Sequence, residues 1–117
     1  HLRTGHGDTL QAVHHNRAAD PLVGAGDSDL SAQVDFEALA LSARRHGLEV
    51  DGPVPQAVFL GGLGLVERAQ RLMGSADGGR AAAIEAGALR LIAPSGMGSR
   101  FKVIGLRSVG VGRLPGL

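Results

Sequence analysis

Apolar residues recur along the chain with two different periods. From about Asp35 to His46, Phe36, Leu39, Ala40 and Ala43 fall at i, i+3, i+4 and i+7, the stripe of an amphipathic helix. Asp35 stands where a side chain can accept hydrogen bonds from the first-turn amides. Arg44, Arg45 and His46 sit at the end, where cations suit the helix dipole. Gly47 supplies a left-handed stop. A short strand, Leu48 to Asp51, follows and is expected to end at Gly52-Pro53. Two short helices come next, Pro55 to Leu60 and Leu65 to Met73, split by Gly61-Gly62-Leu63-Gly64. A longer one runs from Arg80 to Ile92 on the stripe Ile84, Ala88, Leu91, Ile92, and Pro94 ends it.

Residues Phe101 to Leu106 read as a strand with apolar side chains on both faces, Phe101 and Val103 on one, Ile104 and Leu106 on the other. Such a strand is expected to be covered on both sides. Residues 1–31 read mainly as loop, with Asp20-Pro21 and Gly24-Ala25-Gly26-Asp27 as turn chemistry. Within them only Thr9 to Val13 alternates enough to be a strand. The end of the chain, 108–117, is Gly/Pro-rich and reads as a loose tail. Two or three short strands beside four helices leave open sheet edges, a poor closed unit. The chain also opens on His1 rather than Met. Both features point to a piece of a larger domain, although 117 residues would suffice for one.

Composition narrows the chemistry. Nineteen residues are Gly, about twice the usual ~7%. No G-x-G-x-x-G and no G-x-x-x-x-G-K-[ST] occurs, so the glycines read as punctuation rather than a phosphate loop. There is no Cys, hence no disulfide, thiol nucleophile or Cys-ligated zinc. Three Phe and no Trp or Tyr exclude a base-stacking platform, and no nucleic-acid partner is expected. Five His include no H-x-x-x-H pair, and no metal site is expected. Asp27-Ser28-Asp29 opens like a calcium loop, but Ala32 and Ala38 stand where that loop needs Gly and Glu. No apolar run is long enough to span a membrane. Net charge is +1, yet residues 1–59 hold four Arg against eight acids, and 60–117 hold seven Arg and Lys102 against three acids.

Several blocks, taken in order, resemble one family. They are Gly7-Asp8-Thr9-Leu10-Gln11-Ala12-Val13; Asp20-Pro21-Leu22; Asp29-Leu30-Ser31-Ala32-Gln33-Val34-Asp35-Phe36 with Leu39-Ala40; Gly52-Pro53-Val54-Pro55-Gln56 with Phe59-Leu60 and Leu63-Gly64; and Met97-Gly98-x-x-Phe101-Lys102-Val103. Together they are similar to the C-terminal part of the MidA-type class I S-adenosylmethionine-dependent methyltransferases, relatives of a mitochondrial complex I assembly factor that methylates a protein arginine. The sequence departs from that pattern at Ser31, Gln33, Pro55 and Ala57, where the family often has Thr, His, Thr and Gly.

The resemblance implies an α/β fold: the C-terminal portion of a Rossmann-like methyltransferase, with Leu48–Asp51 as sixth strand, Phe101–Leu106 as an antiparallel seventh, a helical insertion between them, and an incomplete sheet. It implies one domain of which residues 1–117 are the C-terminal fragment. The cofactor of the parent would be S-adenosylmethionine, with no cofactor-binding residue in this fragment and no activity of the fragment alone. The acceptor would be a protein side chain, arginine by preference and a respiratory-complex subunit by resemblance. The setting would be a bacterial cytoplasm, or a mitochondrion in a eukaryote. Asp29 and Asp35 are the carboxylates in matching blocks that could fix a guanidinium, and Gln11 and Gln56 could orient a peptide backbone. Each has a structural role open to it as well, Asp29 as a turn residue and Asp35 as a helix cap. The competing reading is a non-catalytic α+β interaction module whose Arg-rich second half meets an acidic partner.

Overall fold

A computed structural model describes residues 9–24 and 26–117. Two compact units divide the chain near Leu39. The first holds a three-stranded antiparallel sheet in the order β2-β1-β3, made of β1 (Gln11–His14), β2 (Arg17–Ala19) and β3 (Asp29–Ser31). The described part of residues 1–31 thus holds two strands, β2 and β3, beyond the one expected near Thr9 to Val13. The strands are three or four residues long, too short for periodicity to register. The β1–β2 hairpin turns on His15 and Asn16, both with positive φ (46° and 59°). Two such residues make the tight turn whose twist matches that of paired strands. Asn tolerates this conformation and His does so less readily.

Helix α1 (Phe36–Arg45) begins in the first unit and ends in the second. Asp35 caps it, its Oδ1 accepting from the Ala38 amide at 2.9 Å. Gly47 stops it at φ 76°. Ala40 and Ala43, three residues apart on the apolar stripe, are buried.

The second unit is built on an antiparallel ribbon of β4 (Leu48–Pro55) and β5 (Lys102–Ser108). Its register pairs Glu49 with Arg107 and Asp51 with Gly105, then shifts between Asp51 and Val54. β4 does not end at Gly52-Pro53. Gly52 takes φ 86°, the shift absorbs the irregularity, and the strand resumes to Pro55. The antiparallel pairing agrees with the expected relation of the two strands. Between them run α2 (Gln56–Gly62), α3 (Leu65–Gly74) and α4 (Gly78–Ile92). Asp77 caps α4 through Arg80 N–H at 2.9 Å. The start of α2 is tied to the turn before β5, with Gln56 N–H to Phe101 O and Ala57 N–H to Gly98 O, both at 3.0 Å.

The interior is thin. Among the described residues, the buried apolar side chains are Ala12, Ala40, Ala43 and Ala69, and no large side chain is fully enclosed. Elements approach closely over alanine and glycine instead of interlocking Leu and Phe. β5, expected to be covered on both faces, pairs with β4 alone among the described residues, and Leu106 is 40% exposed.

The tail is not loose. Arg107 Nη1 donates to Val111 O, and the Leu114 amide donates to Asp51 Oδ2 at 3.0 Å. Gly/Pro content is read as looseness only when no partner is in view. Here Pro115-Gly116 builds a turn that packs on the ribbon.

Candidate functional site

The first unit gathers two of the four candidate residues. Antiparallel pairing sets Gln11 opposite Ser31 and Val13 opposite Asp29. Directly opposed residues share a face, and so do alternate residues on one strand. Gln11, Val13, Asp29 and Ser31 therefore lie on one face, joined by Ala18 of β2, which opposes Val13. All five are exposed. Ala12, on the opposite face, is buried. Gln11 and Asp29 are diagonal neighbours across β1 and β3, about 7–8 Å apart at such positions. An amide and a carboxylate thus stand side by side on an open surface.

The other two candidates serve the fold. Asp35 is half-buried and spends Oδ1 on the cap of α1. Gln56 lies in the second unit, where its Nε2 donates to Leu91 O at 2.9 Å and stitches α2 to α4. That bond uses one of the two Nε2 hydrogens and leaves the second hydrogen and the side-chain carbonyl oxygen.

The described part of the first unit is acidic in composition, and Asp29 is the carboxylate that the strand register places on the face with Gln11. The described part of the first unit carries Asp20, Asp27, Asp29, Asp35 and Glu37 against Arg17. His14 faces the same loop, its Nδ1 donating to Asp27 O. A cavity of about 390 Å³ lies on the hairpin, lined by Gln11, Val13, Asn16, Arg17, Ala18 and Pro21 among others. Its lining has no carboxylate to take ribose hydroxyls, and no glycine-rich strand-to-helix loop borders it. The cavity does not fit an adenosyl cofactor. No group of three metal-ligating side chains exists among the described residues. No described helix is long and apolar enough to cross a membrane.

A charged cluster that sequence reasoning missed sits on the ribbon. Asp51 is 7% exposed and accepts from Arg107 Nε at 2.9 Å, and Arg107 also pairs with Glu49. The signal was present in the strand pairing. An antiparallel match of Leu48 with Ser108 sets Glu49 across from Arg107, and Asp51 shares their face.

Comparison with known proteins shows what the chain is similar to. Residues 1–54 match the family described as "Putative S-adenosyl-L-methionine-dependent methyltransferase". The chain is 34% identical over 100 residues to the mitochondrial protein arginine methyltransferase NDUFAF7 homologue of Drosophila melanogaster. The chain is thus similar to S-adenosylmethionine-dependent methyltransferases. That alignment covers 85% of this chain and 23% of the fly protein. A crystal structure of an uncharacterised protein from Burkholderia thailandensis superposes with a TM-score of 0.79 at 28% identity, over 92% of this chain and 29% of that one. A second structure from the same organism, described as a "likely methyl transferase" bound to S-adenosyl-homocysteine, gives 0.70 at 28% identity, over 92% and 28%. The chain therefore spans less than a third of the length of each of these relatives, and its two small sheets are a portion of the methyltransferase fold.

Proposed function

We propose that this chain is the C-terminal, substrate-side portion of an S-adenosylmethionine-dependent methyltransferase that modifies a protein side chain, arginine by preference. The observation that carries the reading is the alignment of most of the chain with a protein named as an arginine methyltransferase. The exposed carboxylate of Asp29, set on one face with Gln11 in an acidic unit, supports it. A guanidinium stays protonated in proteins, so its recognition calls for carboxylates and carbonyl acceptors. Asp29 supplies the carboxylate, and the neighbouring Gln11 supplies an amide that bonds a peptide backbone. Asp35 acts as a cap, and Gln56 acts as an orienting group through its carbonyl oxygen and its second Nε2 hydrogen.

The cofactor is held by parts of the parent outside this chain, since the described cavity does not suit it. The fragment alone is then inactive. A respiratory-complex subunit as acceptor, and a bacterial cytoplasm or a mitochondrion as setting, extend the same reading.

The test uses the parent protein with methyl-labelled cofactor and matched peptides bearing Arg or Lys. Label is expected on Arg. The Asp29→Ala variant is expected to raise KM about tenfold, as lost acceptor binding does, with kcat little changed. Label on Lys, or an unchanged KM in the variant, overturns the assignment.

A further inference from the structure

The last four residues have a built seat that the proposed function does not use. Leu114-Pro115-Gly116-Leu117 has Pro at the second and Gly at the third position of a turn. Gly116 takes φ 79°, and Leu117 N–H bonds Leu114 O at 3.2 Å, as a type II turn requires. The turn sets Leu114 and Leu117 side by side, and both lie over Gly105 of β5. A Cβ added at Gly105 would stand 2.5 Å from a terminal methyl of each.

Three elements contribute to this seat. From β4 come Asp51, whose Oδ2 accepts the Leu114 amide at 3.0 Å, and Gly52, where an added Cβ would meet Leu117 at 3.5 Å. From β5 comes Gly105. From α2 come Phe59 and Gly62. A Cβ on Gly62 would meet the Gly116 Cα at 2.9 Å, and one on Gly116 would meet Phe59 O at 2.8 Å. Backbone-to-backbone approaches of this kind have no flexible side-chain end to yield. The buried carboxylate thus serves Arg107 and the tail together.

We propose that Leu114–Leu117 is a strap that locks α2 onto the β4–β5 ribbon, so that the orientation of α2, with Gln56 at its start, depends on tail docking. The strap touches both sides of the seam. The other hydrogen bonds that tie α2 to its neighbours are two backbone bonds at its first turn and the Gln56 bond to α4. Releasing the strap frees the far end of α2, where Leu63 N–H bonds Phe59 O.

The test is native-state hydrogen exchange on the 117-residue chain, read at Gln56, Leu63 and Leu114. Gly116→Ala removes the turn conformation and collides with Phe59 O. It is expected to speed exchange at Leu63 at least about tenfold, as local opening does. Gly112→Ala, on the same tail with open space around it, is expected to change nothing. Faster exchange confined to Leu114, with Leu63 unmoved, overturns the proposal. So does fast exchange at Leu63 in the unaltered chain.

Discussion

Asp51 and Arg107 face each other across the β4–β5 ribbon, with Arg107 Nε 2.9 Å from Asp51 Oδ2 and the carboxylate 7% exposed. Removing one partner of such a pair strands the other, which costs roughly 3 kcal/mol or more. Asp51→Ala is expected to lower the urea midpoint by the equivalent of about 3 kcal/mol. Asp51→Asn is expected to fall between, since its amide oxygen still accepts from Leu114 but carries no charge. A midpoint within about 0.5 kcal/mol of the parent chain for Asp51→Ala would mean that the pair stabilises nothing.

Asp35 offers a way to separate a cap from a substrate contact. Its Oδ1 accepts the Ala38 amide. Asp35→Ala is expected to destabilise by ~1 kcal/mol, and Asp35→Ser by only a few tenths, because Ser caps almost as well. Both are measured by thermal denaturation. If Asp35 instead held a guanidinium, Asp35→Ser in the parent enzyme would lose arginine affinity while keeping stability.

The helices of this chain were legible because each carries its stripe and its stop together. Phe36, Leu39, Ala40, Ala43 and Gly47 place α1 within a residue at each end. α3 and β5 were found on the same grounds. The first sheet was not. Three strands of three or four residues give periodicity too few positions, and the hairpin turn is His15-Asn16 rather than Asn-Gly or Asp-Gly. The strap was hidden for another reason. Pro115-Gly116 encodes a turn, but nothing local says that the turn has Gly105 and Asp51 to land on. Of the candidate site, Gln11 and Asp29 came together because their strands pair. Asp35 makes a cap and Gln56 a helix stitch, each visible only once the bond partner is placed.

The hairpin yields a prediction of opposite sign. His15 and Asn16 both hold positive φ, where a non-glycine residue is disfavoured by roughly 1–2 kcal/mol. The double change His15→Asn, Asn16→Gly gives the turn its preferred residues and is expected to stabilise the first unit by about 0.5–1 kcal/mol. His15→Val is expected to destabilise it by at least as much. Exchange protection at β1 amides reports both. A loss of protection in the Asn-Gly variant would contradict the turn assignment.

Cofactor binding is expected to separate this chain from its parent. An adenosyl cofactor needs a carboxylate for the ribose hydroxyls and glycines that let the backbone come close at a strand-to-helix turn. The described hairpin cavity offers Gln11, Asn16 and Arg17 instead. The positive-φ glycines Gly47, Gly52 and Gly64 serve a helix stop, a strand irregularity and the N-cap of α3. Titration calorimetry of the 117-residue chain with S-adenosylmethionine or S-adenosyl-homocysteine is therefore expected to show no saturable heat up to about 100 μM ligand, the range in which a binding free energy near −5.5 kcal/mol becomes visible. The parent protein, run in parallel, is expected to bind. Saturable binding by the chain alone would place the cofactor site within these residues and overturn the division of labour between this portion and the rest of the enzyme.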